Sequence, residues 1–151
     1  MSSQRSSDEY TLGHSESEIQ RLATQGDLLR PLTKRIFQQA GIVPGMRVLD
    51  LGCGGGDVSF LAAEMVGGEG SVLGVDRGAP AVEKACQKAR ERGISNVNFV
   101  CAALDDLHFP DSFDAVVGRL ILCHLPDPVL AVRQAALQVR RGGLVIFHEG
   151  D

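Results

Sequence analysis

The densest chemistry in the sequence lies in ten residues, Val48-Leu49-Asp50-Leu51-Gly52-Cys53-Gly54-Gly55-Gly56-Asp57. An apolar run ending in a glycine-rich loop has the form of a buried strand turning into a helix. In α/β sheets the ligand crevice lies over such loops. The usual phosphate signatures fail here. G-x-G-x-x-G counted from Gly52 needs a third glycine at Asp57, and counted from Gly54 it needs one at Ser59. A phosphate loop also needs a lysine, and none lies in it. Asp50 before the loop and Asp57 after it would repel a pyrophosphate from the helix N-terminus. They suit a ligand with a positive end, which Asp50 can face directly or through water, while Asp57 reads more simply as a helix N-cap. Glycines at 52 and 54 let a ligand approach the backbone where a Cβ would intrude. Gly74-Val75-Asp76 then sets a carboxylate at a second strand end, 20 residues after Gly56, where an acid accepts hydrogen bonds from a ribose diol.

S-adenosylmethionine meets these requirements: it has no phosphate and carries a sulfonium, an ammonium and a carboxylate. The acid–base candidates are weaker. Of His14, His108, His124 and His148, only His124 (after the fourth strand) and His148 with Glu149 (ending the fifth) fall at the carboxyl edge of the sheet. A base there helps only an alcohol or phenol acceptor, because aligning nucleophile, methyl and sulfur supplies most of the rate. His14 and Tyr10 precede the first helix and are candidates for ligand contact from a lid. Cys53 reads as a small loop residue, with no base nearby in sequence to make it a nucleophile.

The elements that must position these residues follow from apolar period. Ser15 and Glu18 fit a capping box for a first helix carrying Ile19, Leu22 and Ala23. Pro31 suits the first turn of a second, with Leu32, Ile36 and Ala40 on its inner face and Gly41 as its stop. Short strands at 47–51, 71–76, 97–101, around 115–118 and at 144–147 alternate with helices at 58–65, 79–92 and 127–139. The last is capped by Asp127 and faces inward through Val129, Val132, Ala136 and Val139, and Gly142-Gly143 turn the chain into the fifth strand. Such alternation means a doubly wound, mostly parallel α/β sheet with helices on both faces. One domain is expected, with residues 1–41 as arm and cap helices and 42–151 as core.

Asp50-Leu51-Gly52-Cys53-Gly54-Gly55-Gly56, Gly74-Val75-Asp76 and Phe109-Pro110-Asp111-Ser112-Phe113-Asp114-Ala115-Val116-Val117 resemble class I, Rossmann-type S-adenosylmethionine-dependent methyltransferases. The small-molecule branch that includes ubiquinone- and menaquinone-biosynthesis enzymes is the nearest in flavour, over roughly residues 40–151. The resemblance implies a strand order of 3-2-1-4-5 and cofactor contacts from Asp50, Gly52, Cys53 and Gly54. It also implies Asp76 and Arg77 at the ribose, the Leu104 amide at the adenine, and a main-chain carbonyl of Gly118 or Arg119 for the methionine ammonium. Where the family often has an acid for the adenine amino group this chain has Ala103. Losing that contact weakens adenine binding by about 1 kcal/mol unless Asp105 or Asp106 substitutes. The sequence ends where the family continues into strands 6 and 7, so the apolar Leu144–Phe147 edge is expected to meet either a missing C-terminal segment or a second copy.

Methyl transfer to a small molecule is the expected activity, with a cofactor-binding module or a truncated fragment without catalysis as the alternative. The 151 residues carry a net charge of −4, one tyrosine and no tryptophan, which disfavours a nucleic-acid surface. Four scattered cysteines suit a cytoplasmic thiol setting, no metal site is expected, and no apolar run is long enough to span a membrane.

Overall fold

A computed structural model of the chain describes residues 16–150. Tyr10, His14 and Ser15 lie outside the described residues. The elements in order are α1 (Glu16–Ala40), β1 (Arg47–Leu51), α2 (Asp57–Val66), β2 (Ser71–Asp76), α3 (Ala79–Glu91), β3 (Val97–Cys101), β4 (Phe113–Arg119), α4 (Pro128–Gln138) and β5 (Val139–His148), with single 3₁₀ turns at Leu104–Asp106 and Leu122–His124. The five strands form one sheet in the order β3-β2-β1-β4-β5, every pair parallel. The order reverses between β1 and β4, which opens a crevice at their carboxyl ends.

Alternation along the strands sorts the core into two layers. Val48, Val72, Val97, Ala115, Val117 and Ile146 pack with Phe37, Val58, Leu61 and Ala62 under α1 and α2. Leu49, Leu51, Val75, Val116 and Phe113 pack with Ala135 of α4 on the other face. Asp50, Asp76, Arg119 and His148 therefore project from the α1–α2 face, because each lies an even number of residues from a core residue of that face.

Three local expectations are corrected. The two N-terminal helices are one, and Pro31 sits inside it. Its buried stripe is Gly26, Thr33 and Phe37; of the expected inner residues Ile36 packs half-buried against the core, whereas Leu32 is 49% exposed and Ala40 is exposed. Spacings of seven and four residues stay in phase only along a continuous helix. Pro31 is exposed, so its ring faces water while Arg30 and Lys34 beside it pair with Glu64 of α2.

In α4 the Asp127 cap is as expected, its carboxylate accepting from Leu130 N at 3.0 Å. The inner face is not. Ala131, Ala135 and Gln138 are buried, whereas Val129 and Val132 are 61% and 36% exposed and Ala136 is exposed. Small residues let the helix lie close on the sheet. Gln138 bridges beneath it, accepting from Phe109 N and donating to the Leu107 and Gln134 carbonyls. Strand β5 begins at Val139, without a separate glycine turn. Its register jumps from Phe113↔Val139 to Ala115↔Leu144, so Arg140–Gly143 form an irregularity within it.

Phe37 is fully buried in the same layer as Val48 and Ala115, so the second half of α1 is part of the core. Phe37→Ala should cost about 3–5 kcal/mol, read from denaturant midpoints. A loss below about 1 kcal/mol would show that α1 is held elsewhere.

Candidate cofactor and active site

The loop after β1 is held by its own backbone and by Asp76. Cys53 N donates to Val75 O at 2.9 Å, and Gly56 N to Cys53 O at 2.9 Å. Asp76 accepts from Gly54 N at 2.9 Å through Oδ2 and from Gly78 N at 2.7 Å through Oδ1. One carboxylate thus ties the first ligand loop to the second, and each of its oxygens keeps a further lone pair for a hydroxyl. Gly54 has φ +52°, and a Cβ built on it would meet nothing within 4 Å. Its missing side chain leaves an open cradle next to Asp76. At φ +66° the missing Cβ of Gly52 also makes room for the Ile121 side chain, which packs against Gly118 as well.

Asp50 is 1% exposed and accepts from the Ser59 hydroxyl at 2.6 Å. Burial pushes its carboxyl up to about 7, against the opposing pull of that hydrogen bond and of Arg119. Asp57 is not the N-cap of α2. Gly56 holds that position in a left-handed conformation with no side-chain cap, and Asp57 opens the helix. The Asp57 carboxylate occupies the space a Cβ on Gly26 of α1 would fill, with Nη2 of Arg119 3.2 Å from that same point. Burial raises the Asp57 pKa, while Lys88 and Arg119 pull it down. Burial also pushes the Cys53 thiol up, reinforced by Asp50 and Asp76, so it stays protonated and unsuited to nucleophilic work.

Beyond Leu51↔Gly118, β1 turns away and β4 continues alone, with Arg119 paired only to His148. The main chain at Arg119, just beyond the last β1 partner Gly118, thereby reaches the crevice free of the β1 ladder. Leu104 opens a 3₁₀ turn with Ala103 before it, and its N–H has no acceptor among the described residues. Asp105 and Asp106 are exposed beside it, and Arg77 is exposed, its carbonyl accepting from Cys101 Sγ at 3.5 Å.

The acid–base candidates separate. His124 is exposed on the second 3₁₀ turn. Glu149 is structural: its Oε1 accepts from Ile121 N at 3.1 Å and Leu122 N at 3.0 Å, fixing the segment that carries Ile121. His148 is half-buried against α1 and is not a solvated loop residue. Sequence reasoning missed Ser59, Thr33 and Gly26. The signals for the last two were present, a threonine next to an apolar stripe and a glycine within a helical stretch, where it costs about 1 kcal/mol relative to alanine.

These features fit S-adenosylmethionine: an open glycine cradle, an acid at the end of β2, an unspent amide at Leu104 and a buried acid beneath the loop. A parallel 3-2-1-4-5 sheet with this site defines the class of Rossmann-type S-adenosylmethionine-dependent methyltransferases. The methyltransferase domain family matches residues 42–151, and the chain belongs to it. The chain is 37% identical over 134 residues to aklanonic acid methyltransferase DauC of Streptomyces sp. (strain C5), covering 88% of this chain and 60% of that protein. It is 34% identical over 121 residues to the ubiquinone biosynthesis O-methyltransferase of Chromobacterium violaceum, covering 79% of this chain and 50% of the relative. The chain therefore spans about half to three-fifths of the length of these relatives. A SAM-dependent methyltransferase from Aquifex aeolicus shares the fold, with a TM-score of 0.71 at 23% identity over 84% of this chain and 68% of that one.

Because folding raises the Asp50 pKa, its stabilising protonated form is fully present below the unfolded value of 3.8 and is lost as pH rises to about 7. Asp50→Asn keeps an acceptor for Ser59 and cannot ionise. Between pH 5 and pH 8 the ligand-free variant should gain about 2–3 kcal/mol relative to the parent, measured by denaturation at both values. Parallel pH profiles would contradict the burial argument.

Proposed function

We propose that this chain transfers the methyl group of S-adenosylmethionine to a small-molecule acceptor. The single observation that carries this reading is the Gly54–Asp76 tie beneath an open glycine cradle at the switch point of the sheet. Asp76, with Arg77 beside it, takes the ribose hydroxyls; Gly52, Cys53 and Gly54 form the floor under the methionine portion. The main chain at Gly118 or Arg119, with Asp50 below, receives the ammonium, and the Leu104 amide meets the adenine ring. The sulfonium supplies an electrophilic methyl, and the protein contributes orientation and exclusion of water. The activities for which the two relatives are named support transfer to a small molecule.

Residues 42–151 serve as the methyl-transfer core, which Phe37 of α1 joins, and the residues before it act as arm and cap. A cytoplasmic setting accords with four free cysteines, and no helix among the described residues is long and apolar enough to cross a membrane. The acidic balance and scarcity of stacking aromatics favour a metabolite over nucleic acid as acceptor. Among the described residues β5 pairs with β4 alone, and Val145 on it is 39% exposed. That edge is open to a strand from a further segment or from a second copy, and light scattering of the purified chain distinguishes the two.

S-adenosylhomocysteine at millimolar concentration should raise the melting temperature of the folded chain by mass action. Asp76→Ala should weaken its binding by about 1.5–3 kcal/mol in calorimetry, through loss of a charged acceptor. Asp57→Ala, which removes a contact to α1 instead, should weaken it much less. No thermal shift with the parent chain would overturn the reading, and equal losses in the two variants would overturn the assigned roles.

A further inference from the structure

The polar row along the carboxyl ends continues past Arg119 to His148, the residue directly opposite it on β5. His148 Nδ1 lies 3.1 Å from the hydroxyl of Thr33 on α1. The same oxygen is 3.1 Å from the Leu29 carbonyl and 3.2 Å from Nη1 of Arg119. Thr33 is fully buried, so its hydroxyl must satisfy itself with these neighbours rather than with bulk water.

A hydroxyl offers one proton and two lone pairs. The Leu29 carbonyl can only accept, so it takes the proton. The guanidinium can only donate, so it takes one lone pair. All three contacts are hydrogen bonds only when His148 donates from Nδ1 into the second lone pair. A neutral imidazole donating through Nδ1 has a bare Nε2.

The charges around the ring act in the same direction. Burial and then Arg119 hold the His148 pKa below its usual 6.5, with Glu149 opposing them. The Glu149 Oε1 is already engaged by two amides. On α1, Arg30 and Lys34 are drawn to Glu64, while Asp50 and Asp57 face Arg119. No carboxylate among the described residues is hydrogen-bonded to the imidazole.

We propose that Thr33 and Arg119 hold His148 as the Nδ1–H imidazole whose Nε2 takes the proton of a hydroxyl acceptor, so that this site is built for O-methylation of an alcohol or phenol. The proposal rests on the methyltransferase reading and adds the acceptor class and the base. The step balances. The acceptor O–H bond breaks and its proton goes to Nε2; the oxygen pair forms the bond to the methyl carbon. The methyl–sulfur bond breaks with its pair left on sulfur, and the positive charge of the sulfonium ends on the imidazolium. An amine that is neutral at the assay pH, such as an aromatic amine, brings its own free pair and needs no such base. His148 is thus the catalytic residue, and Thr33 is a positioning residue acting through it.

Nitrogen-15 spectra of the imidazoles in the full chain test the arrangement without any acceptor. The His148 signals, assigned by their loss in His148→Gln, should show the Nδ1–H tautomer and titrate below 6.5. Thr33→Val should mix the tautomers, and Thr33→Ser should restore the parent pattern, which separates positioning from a general loss of fold. An Nε2–H tautomer in the parent, or titration at or above 6.5, would overturn the proposal. With S-adenosylmethionine present, 3,4-dihydroxybenzoate and aniline serve as phenol and amine probes. The phenol should be methylated, with kcat/KM rising with pH through a value below 6.5. In His148→Gln kcat should fall about 100-fold or more, while S-adenosylhomocysteine affinity stays unchanged. Transfer to the amine alone, transfer to neither with S-adenosylhomocysteine bound, or phenol methylation that His148→Gln leaves intact would each overturn it. Failure of S-adenosylhomocysteine to bind the parent chain would strike the methyltransferase reading itself, whatever the tautomer.

Discussion

An aspartate with 1% of its surface in water, Asp50, lies at the centre of this structure. Asp50 ends up beneath the ligand loop because β1 is the central strand and alternation turns its side chain toward α2. Removing a charge from water is costly, and the cost is met by neutralisation and a hydrogen bond from Ser59. The surroundings reflect that demand. Ser59 is fully buried on the first turn of α2, Arg119 lies across the crevice on β4, and the glycine loop passes over the top. A ligand with a cationic group finds there a buried acid whose ionisation it would itself favour. An anionic phosphate finds the opposite.

The second organising feature is α1 as a roof. One continuous helix places Gly26 against Asp57, Thr33 against Arg119 and His148, and Phe37 in the core. These contacts are spaced along one stripe, so the helix that meets the polar groups at the strand ends is also the one that anchors in the core. A displacement of its outer half would alter the Asp57–Arg119 neighbourhood and the His148 tether together. At the end of β5, Glu149 accepts from the turn at Leu122–His124 and so holds Ile121 over Gly52 and Gly118.

Much of this was legible from the residues alone. Parallel pairing and the placement of Asp50, Gly54 and Asp76 at strand ends follow from apolar runs, glycine punctuation and the rule that crossovers are right-handed, while the strand order came from the resemblance to the methyltransferase family. These are local or topological constraints, and a single sequence carries them. The inner faces of α1 and α4 were misread because a helix with apolar residues on two sides has no unique inward direction. In α4 the sheet selected Ala131 and Ala135 over Val129 and Val132, since closeness of approach outweighed side-chain size.

What tertiary structure alone decided are the polar partnerships between distant segments. Thr33 meets His148 across 115 residues and Arg119 across 86, and Asp57 meets Gly26. No periodicity encodes such pairs, because each depends on the rotation of α1 about its axis and on where it crosses the sheet. The sequence determined which strand ends carry the acids. Only the packed chain determined which of those groups are buried, which are tied to backbone amides, and which imidazole has its ring held in one orientation. The physical reason is that burial and hydrogen-bond geometry are properties of the assembled layers, whereas strand and loop identity are already present in the local pattern of residues.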